Sequence, residues 1–176
     1  MTDERGVSSP RSSPPVGRSS SASVSTRGHR DCCSPLDERH TAVVATWDDV
    51  RRLVAALPDT DEHSSYGGHP SWRVRQKAFA WDRPLRPSDR KALADAAPEE
   101  AEPVLSVRVA DEGVKAALIA DDPEVYFTTP HFDGYPAVLV RLVRIPADEL
   151  AELVEDAWRL RAPRTLLAEF PSRSRP

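Results

Sequence analysis

Ser71-Trp72-Arg73-Val74-Arg75-Gln76-Lys77-Ala78-Phe79-Ala80-Trp81 is the stretch that decides the fold. Trp72 and Val74 alternate with Arg73 and Arg75, the period of a strand with one apolar and one polar face. Gln76-Lys77 turns the chain and residues 78–81 return it, so the stretch predicts a β-hairpin, although its turn carries neither Gly nor Asn. If the first strand continues to Lys77, the side chains of Arg73, Arg75 and Lys77 share one face.

Before the hairpin, Thr46-Trp47-Asp48-Asp49 opens a helix. Thr46 suits the N-cap, and the two carboxylates suit the positive end of the helix dipole. Val50, Leu53, Val54 and Leu57 follow at helical spacing, and Pro58 stops the run. Residues 59–70 read as a polar loop.

After the hairpin, Pro84 and Pro87 break the chain, and Ser88 is placed to cap a short helix to about residue 96. An acidic linker over 97–103 leads into a strand over 103–110 with Val104, Val107 and Val109. A helix from Asp111 to about 120 carries Val114, Ala117 and Leu118 as its apolar stripe. Strands are expected at 125–128 and 137–143, with the turn-rich loop Thr128-Thr129-Pro130-His131-Phe132-Asp133-Gly134-Tyr135-Pro136 between them. Pro146 suits a helix start, and Leu150, Leu153, Val154, Ala157, Trp158 and Leu160 carry its apolar side to 161. A short helix over 165–170 ends the domain, and Arg159 and Arg161 are expected at the end of the domain opposite the hairpin. Two sheet connections are too short for crossovers, so the reading is an α+β fold: a single largely antiparallel sheet with helices packed on it.

That domain spans 41–170. Residues 1–40 hold ten Ser and four Pro with almost no large apolar side chains. Such a stretch cannot bury enough surface to offset its ordering entropy, so it is expected to be a disordered Ser/Pro/Arg-rich tail, as is the 171–176 end. An over-called translation start is the alternative for the tail. No apolar run of roughly 7–15 residues marks a signal peptide there, and no segment approaches the ~18 apolar residues of a membrane helix. A cytoplasmic protein with no membrane partner is expected. The only cysteines, Cys32 and Cys33, are adjacent and lie in the tail, which fits a reducing compartment. The tail's six Arg against five acidic residues leave the remainder at −5, given a total of −4. A domain of that charge is not globally a nucleic-acid binder, and the distribution of its charge has to decide.

Catalytic motifs are missing. No Gly-x-Ser-x-Gly elbow or phosphate loop occurs. His63 and His69 stand six apart without cysteine support, so neither a metal nor an organic cofactor is expected. Carboxylate pairs such as Asp48-Asp49 and Asp121-Asp122 read as helix caps or turns, and an enzyme is not expected.

Two patterns remain. Residues 73–91 contain Arg73, Arg75, Lys77, Arg83, Arg86, Arg90 and Lys91 against Asp82 and Asp89, a local +5. A basic β-ribbon can lie along a phosphate backbone, while charge runs more often simply solvate a surface. The 128–136 loop is denser in Thr, Pro and aromatic residues than a connection needs; it is either a rigid anchor or a recognition loop.

At the hairpin, at the segment running from Thr128 through Pro136 into Ala137-Val138-Leu139-Val140, and at Ala157-Trp158-Arg159-Leu160-Arg161-Ala162-Pro163, the chain resembles the MmcQ/YjbR family of small bacterial proteins. The resemblance covers about 46–170. It implies an α/β fold with a double-wing arrangement and the DNA-binding label the family usually carries. The hairpin resembles one wing and the strands around 128–140 the other, and family members often have Gly where this chain has Gln76-Lys77. On this reading Arg73, Arg75, Lys77, Arg83 and Arg86 contact phosphates of duplex DNA, with His131 and Tyr135 at a wing tip. The competing reading is a non-enzymatic interaction domain whose basic window docks an acidic protein surface.

Overall fold

The computed structural model describes residues 44–65 and 67–170. The expected tail over 1–40, the 171–176 end and both cysteines lie outside the described residues.

The first helix, α1 (Trp47–Ala55), starts as its sequence dictates. Thr46 and Asp49 exchange side-chain-to-backbone hydrogen bonds as a capping box. The Thr46 hydroxyl and backbone amide hold the Asp49 carboxyl below its ordinary pKa, with Arg52 adding to the effect.

Among the described residues six strands follow: β1 (Thr60–Ser64), β2 (Pro70–Val74), β3 (Lys77–Asp82), β4 (Val104–Arg108), β5 (Tyr126–Phe127) and β6 (Ala137–Arg141). They form one sheet in the order β1-β2-β3-β4-β6-β5, and every pairing is antiparallel. Between them and after them lie α2 (Pro87–Leu93), α3 (Glu112–Asp121), α4 (Ala147–Arg161) and α5 (Arg164–Glu169).

Strand β1 occupies what the sequence reads as a loop. Thr-Asp-Glu-His-Ser offers no apolar alternation because this is an edge strand, paired only with β2 among the described residues. Its side chains serve their neighbours: Thr60 donates its hydroxyl to the carbonyls of Val54 and Leu57 at the end of α1, and Trp72 donates its indole N–H to Glu62 at 2.9 Å.

The hairpin is real, but it turns one residue earlier than expected. Val74 pairs with Lys77, and Arg75 and Gln76 form the two-residue turn with φ of 43° and 70°. Positive φ at both central residues is the primed turn whose twist suits adjoining strands, and it explains the preference for Gly at this place. Arg75 therefore does not extend the face of Arg73. The register also shifts beside Trp72, so Phe79 and Ala80 both reach the main core.

That core lies between one face of the sheet and the helices. Trp72, Val74, Leu105, Val107, Val138, Val140 and Tyr126 meet Val50 and Val54 of α1 and Leu150, Val154, Ala157 and Trp158 of α4. Leu160, expected in the α4 stripe, is exposed. The α3 stripe is also corrected: Val114 and Ala117 are exposed, Leu118 and Ile119 pack inward, and the buried residue is Lys115. Asp111, not a residue of the helix body, caps α3 through Val114 N–H. At α2 the capping carboxylate is Asp89, which accepts from the Arg86 amide, and Ser88 plays no such part.

Candidate functional site

Strand alternation gives the sheet a second face. Arg73 sits between Trp72 and Val74, and Arg108 between Val107 and Val109, all four of which belong to the main core. Both arginines therefore lie on the opposite face. The same face carries the row Ser71, Trp81, Ser106, Leu139 and Phe127, read straight across five strands. A smaller apolar cluster covers part of it: Val104, Phe127, Phe132, Ala137 and Leu139, with Trp81, Leu85 and Leu93 against them. One end is closed further by Arg141, which donates to the Ala96 carbonyl and lies over the Phe127 ring. The other end, around Trp81, Arg73 and Arg108, is the open part.

The loop between β5 and β6 walls this open part. Its 3-10 turn, Pro130–Phe132, buries Phe132 and leaves His131 exposed. Trp81 and Phe132 are stacked with centroids 6.5 Å apart, and His131 meets Phe132 edge-on at 5.2 Å. Tyr135 is tilted against Phe132 and remains 41% exposed, enough to offer its ring to a ligand. Together Trp81, Arg83, His131, Phe132 and Tyr135 line a groove of about 410 Å³. An adjoining depression of about 340 Å³ shares Trp81 and Arg83 and adds His69, Asp82 and Arg86. Lys115 holds the loop in place from beneath, donating to the carbonyls of Phe132 at 2.8 Å and Tyr135 at 3.1 Å. The loop is an anchored turn whose exposed side chains face a groove.

The basic window divides when its partners are known. Arg75 is paired with Asp59 beside the turn. Arg83 is paired with Asp89 at 2.9 Å, both side chains nearly buried, and lies over Phe132. Arg90 donates to the carbonyls of Pro98, Glu99 and Glu100 and so secures the linker. Three of the seven cations are therefore structural. Arg83, expected at a phosphate, lines the groove with its guanidinium already serving a carboxylate. Arg86, exposed, lines the second depression, and Lys77 is exposed where β3 begins.

Arg73 is different. Among the described residues its side chain has no partner, and its Nε is buried. Arg108 has a buried, unpartnered Nε as well; it donates weakly to the Pro136 carbonyl at 3.4 Å and its guanidinium lies 4.1 Å from the Tyr135 ring centre. Burial, with the charge of nearby Arg161 adding to it and Tyr135 opposing it, lowers the Arg108 pKa. Arg161 is not remote from the hairpin: from the last turn of α4 it donates to the carbonyl of Ala78, the residue paired with Arg73. Arg73, Arg108 and Arg161 have no carboxylate partner among the described residues. Arg73 and Arg108 stand on strands two spacings apart, about 10 Å by sheet geometry.

The structure brings Arg73, Arg83, Arg86, His131 and Tyr135 to this one face and leaves Arg75 and Lys77 at the hairpin end. Sequence reasoning missed Trp81, Arg108 and Arg161. The signal for Arg108 was present in Val107-Arg108-Val109, where alternation turns the arginine away from the core. Nothing local marks Arg161. Among the described residues no three His, Cys, Asp or Glu side chains gather as a metal site requires, and no helix is long and apolar enough to cross a membrane.

Comparison with known proteins agrees with this architecture. The YjbR family model matches residues 55–160. An uncharacterised protein of Mycobacterium tuberculosis (strain H37Rv) and one of Mycobacterium bovis are each 54% identical over 132 residues, which is 74% of this chain and 99% of the relative. The crystal structure of the Deinococcus radiodurans protein DR2400, a DUF419 domain, is similar in fold, with a TM-score of 0.50 and 21% identity over 66% of this chain and 78% of that one.

Proposed function

This chain belongs to the YjbR family, and from that premise we propose that it is a non-enzymatic DNA-binding protein that grips the phosphate backbone with the open face of its sheet. One observation carries the reading: among the described residues Arg73 and Arg108, on the open face of the sheet, have no carboxylate to neutralise them, and Arg161 lies near enough to add its charge at Arg108. Guanidinium groups partly withdrawn from water without a counter-charge are costly to the fold. A phosphate oxygen would relieve that cost, and the planar fork of arginine suits phosphate particularly well. Arg86, exposed in the adjoining depression, extends the positive surface at its rim.

The rest of the domain is acidic, so the attraction is local. Affinity should be modest and fall steeply with salt, because it comes from the release of counterions. The test is a salt titration of the full chain against a 20-bp duplex. Three to five phosphate contacts give a slope of log affinity on log salt of about −3 to −4.5, at ~0.9 per contact. Changing Arg73 and Arg108 together to Glu should flatten that slope by about 2 and weaken all sequences alike, since backbone contacts carry no sequence information. The same change at Arg52, exposed on α1, should leave the slope nearly unaltered. Equal losses at both places would indicate bulk electrostatics rather than a site. No binding at roughly 50 mM salt, where the counterion contribution is strong, would replace DNA with an acidic protein surface as the partner.

A further inference from the structure

The aromatic groove has no evident use in gripping a closed duplex. A duplex presents phosphates and base edges to a protein, while the faces of its bases are hidden in the stack. Aromatic side chains on a sheet face, interleaved with arginine, instead suit bases that are free to stack. We propose that the groove lined by Trp81, His131, Phe132 and Tyr135 takes the base of an unpaired nucleotide, whose phosphate is held by Arg108 and Arg73, so that this face prefers single-stranded DNA. The inference rests on the DNA-binding reading and names the form of DNA.

Three features support it. At about 410 Å³ the groove falls within the ~300–1,000 Å³ of small-molecule sites. Its polar and apolar parts are also divided as a nucleotide is. Phe132 and Trp81 form a stacked floor, and Tyr135 closes the side toward the arginines, with the Arg108 guanidinium 4.1 Å from the Tyr135 ring centre. That ring stands between the groove and Arg108. Finally, the cation inside the groove is already neutralised: Arg83 is tied to Asp89 and to the Pro84 carbonyl. A phosphate therefore finds its uncompensated charge beside the groove, at Arg108 and Arg73, and the groove itself is left for an uncharged ring. His131 is exposed at the rim, placed against the edge of Phe132, where a second base can stack.

A nucleoside phosphate could come from a strand or from a free nucleotide, and the experiment separates the two. The full chain is titrated by anisotropy with a labelled 12-residue thymidine strand, and with a labelled mixed-sequence 12-bp duplex, at about 150 mM salt. Unlabelled thymidine monophosphate is the competitor. The strand should bind at least fivefold tighter than the duplex. Tyr135→Leu should lose about tenfold on the strand, the scale of one base stack, and less than twofold on the duplex. His131→Ala, at an exposed position, should show the same bias in smaller measure, and circular dichroism confirms that both variants fold. Displacement of the strand by the mononucleotide at low micromolar concentration would overturn the strand assignment in favour of a free nucleotide. Equal affinity for strand and duplex, or indifference of both affinities to Tyr135→Leu and His131→Ala, would overturn the groove while leaving duplex binding intact. Failure of strand and duplex alike to bind would refute the DNA-binding reading itself.

Discussion

Lys115 gives the sharpest test of how the loop is held. It is buried on α3 at 5% exposure, and its ammonium donates to Glu112 at 3.0 Å, to Phe132 O at 2.8 Å and to Tyr135 O at 3.1 Å. All three of its donors are thus in use. Lys115→Met keeps most of the apolar stem and removes the charge. Each hydrogen bond from a charged donor is worth about 1.5–3 kcal/mol. Removing the ammonium also relieves its own desolvation, which offsets part of the loss. The bond to half-exposed Glu112 adds at most about 1 kcal/mol. A net destabilisation of about 2–3 kcal/mol follows, a large part of a stability of roughly 5–15 kcal/mol. At roughly 3 °C per kcal/mol for a domain of this size, Tm should fall by about 6–9 °C. Urea unfolding and a thermal melt measure the loss. Amide exchange locates it, because the Phe132 and Tyr135 amides, bonded to Thr129 O and Phe132 O, should open before the sheet does. A Tm within about 1 °C of the parent, with unchanged exchange in the loop, would show that the aromatic pairs alone hold it and that the lysine is incidental.

Three further outcomes are expected. Gln76→Gly should raise Tm by about 2–4 °C, because a left-handed residue costs roughly 1–2 kcal/mol and glycine returns only part of that through unfolded-state entropy; a lower Tm would contradict the turn geometry. Tyr126 donates its hydroxyl to Glu149 at 2.6 Å, and burial, then that bond, push its pKa far above the ordinary value near 10. Since the folded pKa exceeds the unfolded one, stability is fully present below about pH 10 and falls by about 1.4 kcal/mol per pH unit above it; Tyr126→Phe should flatten that slope in urea titrations, and an unchanged slope would exclude Tyr126 as its source. Trp158 is fully buried and donates its indole N–H to the Pro58 carbonyl, so Trp158→Ala should cost about 3–5 kcal/mol and broaden or abolish the thermal transition, whereas a normal melt would remove it from the core.

Much of the fold was legible because most elements write their burial into a period. Val138, Leu139 and Val140 read as a strand, and the structure buries all three completely, one face against each core cluster. Thr46 and Asp49 announced the start of α1 and form the box. What failed was whatever lacks a period. Strand β1 has polar side chains throughout because only one edge of it is paired. The stripe of α3 misled because Lys115, a residue that sequence reasoning places in water, is buried with three acceptors, two of which come from the loop between β5 and β6. The turn shifted by one residue because φ, unlike burial, leaves no mark on Arg75 or Gln76.

The site was less legible, for a reason that concerns charge more than shape. A count of +5 over 73–91 treats each cation as equally available. Availability depends on partners that the count ignores: Asp59 for Arg75, the 98–100 carbonyls for Arg90, and Asp89 for Arg83. Arg73, Arg108 and Arg161, which lack a carboxylate partner among the described residues, come from three separate elements, and two of them lie outside the window altogether. No linear count brings these three together. They meet because β3 joins β2 to β4 and because the last turn of α4 ends over Ala78. Arg161 ends α4 immediately before Ala162-Pro163, and Pro163 caps the next helix, so the break that stops α4 also fixes how far its last arginine reaches. Inserting one residue into α4 ahead of Arg161 would rotate the side chain about 100° around the helix and take it off the Ala78 carbonyl.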